Sequence, residues 1–264
     1  MNPSTRSPSL AFVGEHGFGA TAAVCDDIVI VPNDQDGTSF VVGLDAATGR
    51  ERWRLPRESQ KAGYATPLVV SGAREPFVVL TSMAHGFTAI EPVTGRVLWE
   101  QAAFPKRTVS SPVRVGPLVI GTCGEGGGDN TLVAVRMPEP GGGPPAVAYQ
   151  LDRSVAPYVP MPLAVDGRLS LWGDRGVVTC VDAATGATQW RGRVGGAFSA
   201  SPIRAGDTVI NVSADGEVVT IRAGEAFEVL GRRPLGEECR ATPAVAGRRV
   251  VFRTAGRLLA LDAK

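Results

Sequence analysis

Gly43-Leu44-Asp45-Ala46-Ala47-Thr48-Gly49-Arg50-Glu51-Arg52-Trp53 is the stretch from which the rest of the chain can be read. It returns as Ala89-Ile90-Glu91-Pro92-Val93-Thr94-Gly95-Arg96-Val97-Leu98-Trp99, and again as Cys180-Val181-Asp182-Ala183-Ala184-Thr185-Gly186-Ala187-Thr188-Gln189-Trp190. Each copy is an apolar run that ends on an acid, a Thr-Gly turn, and a tryptophan. Gly49, Gly95 and Gly186 permit a left-handed turn, and Asp45 or Asp182 can accept backbone N–H bonds within it. The tryptophan is large and flat, with one N–H to place, so Trp53, Trp99 and Trp190 are expected to lie over a neighbouring repeat and donate to its backbone. Tyr149 and Leu230 fill the same place as weaker substitutes. Trp172 stands outside the motif, and its loss is expected to matter less.

A second signal is proline followed by an apolar pair, with anchors at Pro67, Pro112, Pro162, Pro202 and Pro243 and Ala22 in the first slot. The anchors are separated by 45, 45, 50, 40 and 41 residues. A period near 40–45 with four short β segments is that of a propeller blade. In the fifth repeat the strands a to d read as 201–204, 208–212, 218–222 and 226–230. The long interval is explained by two Gly/Pro-dense loops, 124–130 and 138–145. The last repeat stops after its third strand, and counting back from Ala22 to the tryptophan slot reaches the apolar run Leu10–Val13. That segment is expected to complete the last blade and so remove an exposed edge. The expectation is therefore an all-β chain, one β-propeller domain over 1–264 with about six four-stranded blades. Such a set is either a smaller ring or part of an eight-bladed one.

Composition removes many activities. Gly 33 and Pro 20 in 264 residues oppose a helical bundle, and a net charge of +1 offers no global field for nucleic acid. No apolar run is long enough to span a bilayer, and residues 1–10 show no signal-peptide core. Cys25, Cys123, Cys180 and Cys239 form no C-x-x-C, so they read as buried thiols, with a disulfide left open. His16 and His85 give a triad or a metal site little to draw on, and His85 reads as a solvated turn residue. Asn33-Asp34-Gln35-Asp36-Gly37 has the carboxylate spacing of a calcium loop but lacks the distal glutamate, so it reads as turn chemistry. The glycines at 126–128 are followed by a strand rather than a helix, which argues against a phosphate cradle.

The run A-x-D-x-x-T-G-x-x-x-W, together with the proline-anchored strands, resembles the tryptophan-docking repeats of PQQ-like (quinoprotein-like) β-propellers. The resemblance implies one of two groups. Quinone-dependent alcohol or sugar dehydrogenases carry an adjacent-cysteine pair, a calcium ion and a catalytic aspartate. Non-catalytic members include the lipoprotein of the outer-membrane barrel-assembly machine. With no adjacent cysteines and no matching calcium motif, the expectation is a non-catalytic bacterial scaffold without cofactor, extracytoplasmic by resemblance, that binds a protein or peptide partner. A dehydrogenase fragment, or the sensor domain of a larger signalling protein, is the alternative.

In a propeller the d–a connectors and b–c turns share one face. Taken as 54–63, 100–108, 150–157, 191–197 and 231–240, the connectors hold eleven basic residues against five acidic ones. Arg57, Lys61, Lys106, Arg107, Arg153, Arg193, Arg232, Arg233 and Arg240 are the expected binding rim, suited to an anionic partner.

Overall fold

The computed structural model describes residues 12–58, 60–72, 75–126, 128–139 and 141–262. It divides into two compact units, Met1–Ser111 and Pro112–Lys264. The first unit holds β1 (Ala23–Cys25), β2 (Ile28–Asn33), β3 (Ser39–Asp45) and β4 (Glu51–Arg57), then β5 (Leu68–Val70), β6 (Phe77–Ser82), β7 (Gly86–Ile90) and β8 (Val97–Gln101). The second holds β9 (Val113–Val115), β10 (Leu118–Cys123), β11 (Thr131–Arg136) and β12 (Ala146–Leu151), followed by β13 (Leu163–Val165), β14 (Arg168–Trp172), β15 (Val177–Asp182) and β16 (Thr188–Arg193). It continues with β17 (Ile203–Ala205), β18 (Thr208–Val212), β19 (Glu217–Arg222) and β20 (Val229–Pro234), and ends with β21 (Ala244–Ala246), β22 (Arg249–Arg253) and β23 (Leu258–Asp262). Each group is one antiparallel meander, so the sequence repeats are the blades of a β-propeller of about six sheets.

The middle strands explain the long apolar runs. Every residue of β7 and of β10 is buried, whereas the outer strand β16 alternates between exposed and half-buried positions. Strands covered on both faces need apolar residues throughout, and strands covered on one face alternate. In the first unit Ile28, Ile30, Val41, Val78, Leu80 and Ile90 form the core between the two sheets. Trp172 is fully buried with Val194, Phe198 and Val219 in the second unit, while Trp190 is half-buried. The expected order of importance of these two tryptophans is thus reversed.

The turns fall into two sets. In four of the sheets the a–b turn bonds to the c–d turn of the same sheet, as in Ala46 N–H to the Asp27 carbonyl and Ala183 N–H to the Gly167 carbonyl. Each b–c turn bonds to a d–a connector, as in Phe198 N–H to the Asp174 carbonyl and Gly63 N–H to the Asp34 carbonyl. Connectors and b–c turns therefore lie together within each unit.

Two boundaries differ from the sequence reading. Strand d of the fifth repeat is β20, which begins at Val229 rather than Ala226. The c–d turn there is one residue longer than in the fourth repeat, so Gly231, not Leu230, stands opposite Thr220 at the docking position. The last sheet has three strands among the described residues. Of the segment expected to complete it, Leu10 and Ala11 lie outside the described residues. Phe12 and Val13 carry no strand; Val13 donates its N–H to Gln35 Oε1 at 2.6 Å and accepts from Asp36 N–H at 2.9 Å.

Candidate functional site

The repeated motif comes first, because it positions everything else. In every four-stranded sheet the pairing of strands c and d shifts register just past the docking position, for instance between Gly43 and Leu44 opposite Trp53. The bulge sharpens the local twist and turns the ring outward. Trp53 Nε1 donates to the Pro92 carbonyl at 2.8 Å and Trp190 Nε1 to the Gly224 carbonyl at 2.9 Å. Tyr149 uses its hydroxyl in the same way, donating to the Ala183 carbonyl at 2.9 Å. Burial, helped by the nearby Asp182 charge, pushes that phenol up to about 12. Gly95, at φ +72°, lies under the Trp53 ring, and Gly186, at φ +75°, under Tyr149. The Thr-Gly glycine thus makes the turn and also admits the preceding sheet's aromatic ring.

The acids close the turns. Asp45 Oδ1 accepts from Thr48 N–H at 2.7 Å and from Thr48 Oγ1 at 2.6 Å, and Arg52 Nε donates to Oδ2 at 3.1 Å. Asp182 Oδ1 accepts from Thr185 N–H, Thr185 Oγ1 and Ala184 N–H. The Thr48 hydroxyl and then Arg52 hold Asp45 well below the usual carboxylate range, and Thr185 lowers Asp182.

The expected rim residues take several different positions. Arg57 is not on an exposed rim: its side chain is 1% exposed, with Nε on Asp34 Oδ1 at 2.7 Å and its other nitrogens on Ser82 and Thr88. Strand d runs further than the sequence suggests, so Arg57 belongs to β4 and points into the seam between two sheets. Arg107 is also largely covered, lying against the Tyr64 ring and 3.9 Å from Glu15. Lys106 is half-buried, and Lys61 is exposed. In the second unit Arg232 is engaged by Glu217 at 2.6 Å and by the Val194 carbonyl at 2.7 Å. Arg233 and Arg240 are exposed, the latter 3.9 Å from Glu238. His85 is a structured turn residue rather than a solvated one, with Nε2 accepting from Glu58 N–H and Nδ1 against Glu100, both at 2.9 Å.

Arg153 and Arg193 are brought together. Both line a cavity of about 510 Å³ within the second unit, along with Arg175, Arg191, Tyr158, Val177 and Thr179. The register explains this gathering. Arg193 stands opposite Val177 and Arg191 opposite Thr179, so these four side chains share one face of their sheet, while Trp190 docks from the other. Asp174, at the cavity wall, is already engaged by Tyr158 N–H at 2.9 Å and Val159 N–H at 3.0 Å. Among the described residues the side chains of Arg175, Arg191 and Arg193 make no hydrogen bond or ion pair, and Arg153 stands 3.8 Å from Asp129. Guanidinium groups stay charged and bind carboxylates or phosphates in forked pairs, so the arginines can bind an anion here, with Glu125 and Asp174 as the acids of the same lining. The connector count omits Arg175 because it sits in the b–c turn Asp174-Arg175-Gly176; counting bases over b–c turns as well finds it.

The donors that the resemblance would need for a quinone cofactor do not fit. Cys25, Cys123, Cys180 and Cys239 are buried thiols outside any disulfide, at places far apart along the chain, and the loop 33–37 directs Asp34 to Arg57 and Asp36 to Ala62 N–H. Among the described residues no group of acidic, histidine and cysteine side chains is placed to hold a metal ion, and no helix is long and apolar enough to cross a membrane.

The family model described as outer membrane protein assembly factor BamB matches residues 8–137 and 148–264. The chain belongs to this PQQ-like repeat family. Solved structures share the family fold at low identity. BamB from Moraxella catarrhalis is 15% identical with a TM-score of 0.61, covering 92% of this chain and 84% of that one. Quinohemoprotein alcohol dehydrogenase from Comamonas testosteroni is 13% identical with a TM-score of 0.61, over 90% of this chain and 47% of that one. Sqt1 from Saccharomyces cerevisiae is 11% identical with a TM-score of 0.69, over 90% of this chain and 69% of that one. No curated protein sequence matches the chain. The PQQ-like family accounts for the docking residues, whereas the arginine cavity arises from side chains that the repeat does not specify.

Proposed function

We propose that the chain is a non-catalytic propeller scaffold, a single domain over 1–264, that holds a protein partner on the connector face of its second unit in an extracytoplasmic compartment. The arginine cavity carries this reading: unpaired cations on rigid strands and turns are a recognition surface rather than packing. Membership of a family whose model is described as an assembly factor supports it. The quinohemoprotein neighbour favours a second reading, a piece of a quinone-dependent dehydrogenase.

Photo-crosslinkers at Arg153 and Arg233, with a control at Thr185 in a c–d turn, separate the two when combined with reconstitution. The scaffold predicts protein adducts at the two arginine positions and few at Thr185, and no dye reduction after adding calcium and pyrroloquinoline quinone. Alcohol- or sugar-dependent dye reduction by the reconstituted chain would overturn it.

A further inference from the structure

The cavity has features that narrow what it takes. Arg191 and Arg193 are alternate residues of β16 on one face of the sheet. Their Cα atoms are therefore about 6.7 Å apart, the rise of two residues in an extended chain. Side chains at alternate positions of an extended peptide have that same spacing. A single phosphate presents its oxygens around one centre and does not call for charges repeated along a strand. Val177 and Tyr158 give the cavity apolar wall, against which the methylene stems of glutamates can pack, while Arg153 and Arg175 add positive charge. The volume of about 510 Å³ lies within the range of ligand-binding clefts, and the cleft is open on one side, as a site for an extended segment would be.

We propose that this cavity is a peptide-binding site for an extended acidic segment with carboxylates at alternate positions, one on Arg191 and the next on Arg193. The proposal rests on the scaffold reading, since it names the chemistry of the partner segment which that surface would hold. Each guanidinium presents two parallel N–H donors to a carboxylate. Glu125 and Asp174 also line the cavity, but among the described residues neither forms an ion pair with Arg191 or Arg193, and Asp174 is held by Tyr158 N–H and Val159 N–H.

Fluorescence anisotropy on the full chain tests it, with a short labelled peptide alternating glutamate and threonine as the probe. Saturable binding is expected, weakened at least about tenfold by Arg191→Gln with Arg193→Gln, and progressively by added salt. Both arginines are exposed and unpaired among the described residues, so the variant should melt with the parent. Val177→Phe keeps every charge but fills the cavity, and it should weaken the peptide as well. A peptide of the same composition with its glutamates contiguous should bind less tightly. The proposal falls if binding is not saturable, if the arginine variant binds like the parent, or if inorganic phosphate displaces the peptide at equal concentration. Should the peptide fail while crosslinks at Arg233 persist, the inference is lost and the scaffold reading stands. If the peptide binds but no protein adduct forms at either position, the scaffold reading fails instead.

Discussion

In β4 of the first unit Arg54 follows Trp53, and in β16 of the second Arg191 follows Trp190. The two arginines occupy the same register, one residue past the docking ring, yet their surroundings differ. Arg54 lies 4.1 Å over the Phe40 ring and donates from Nε to Glu51 Oε1 at 3.0 Å. Where Phe40 faces Pro56, the fourth sheet has Val177 facing Arg193, and where Glu51 precedes the tryptophan there is Thr188. A ring that stacks on the cation is replaced by a small aliphatic residue, and the counter-ion by a neutral one. Four residues past the tryptophan the contrast reverses: Arg57 forms a buried pair with Asp34, while Val194 joins an apolar cluster with Trp172 and Phe198. The repeat sets backbone register, and the positions around the docking ring decide whether a face is filled or left open to a ligand.

The largest effects lie in those seams. Arg57→Ala leaves Asp34 charged and buried without its partner, which is expected to cost about 3–5 kcal/mol. Replacing the pair together, Arg57→Met with Asp34→Leu, should recover most of that loss, because the desolvation of both charges disappears. Trp172→Ala should also cost about 3–5 kcal/mol, through a cavity rather than an orphaned charge, and no single partner change should rescue it. Urea unfolding of the three variants measures the contrast. If Arg57→Ala unfolds within about 1 kcal/mol of the parent, well below the range for a broken buried ion pair, the first seam does not depend on it.

Gly49 and Gly95 separate the two functions of the Thr-Gly turn. At Gly49, φ +69°, an added Cβ meets nothing within 4 Å, so Gly49→Ala should cost only the left-handed backbone term, about 1–2 kcal/mol. At Gly95 the same Cβ falls 2.5 Å from the Trp53 ring, so the ring must move, adding about 1–3 kcal/mol as in other overpacked sites. Trp53 fluorescence should shift in Gly95→Ala and stay unchanged in Gly49→Ala. Equal losses with no spectral change would mean that the ring does not need the space.

These pairs also show which parts of the structure a reader of the sequence can reach. The Thr-Gly turns, the proline anchors and the blade repeat are legible because each depends on a residue with a distinctive property, such as positive φ or a fixed proline. Gly231 was not legible as a docking position, since a longer turn moves the register and no aromatic marks it. Arg57 reads as a surface base because nothing local reveals that Asp34, Ser82 and Thr88 will surround it. The cavity was half legible: a basic connector face follows from counting charges, but the gathering of Arg175 and Arg191 with Arg193 depends on cross-strand register and on the small size of Val177. Trp172 looked peripheral because it lies outside the repeat, yet burial follows position in the sheet and not membership of a motif.

The smallest effect compares the acids of the two units. Asp45 and Asp182 both accept from a threonine three residues on, but Asp45 also receives Arg52, whereas Asp182 depends on Thr185 and the Ala184 N–H. Both carboxyls are depressed in the folded chain. A depressed carboxyl contributes stability above its unfolded value near about 3.9, and that contribution is lost as pH falls through the folded value, because the unfolded chain binds the proton first. Acid unfolding of the parent should therefore steepen below about pH 4, and Asp45→Asn and Asp182→Asn should each flatten that limb while lowering stability slightly at neutral pH. Both carboxylates sit half-buried in surface turns within reach of solvent, so the changes should be small. Salt distinguishes them by degree. It should shrink the Asp45→Asn effect more, where Arg52 bonds the carboxylate directly, than the Asp182→Asn effect, where Thr185 and the Ala184 N–H do most of the holding and Arg168 adds the smallest contribution. Identical salt responses in the two variants would show that Arg52 adds no more to the first turn than Arg168 does to the second, and that the two units close their turns by the same short-range bonds.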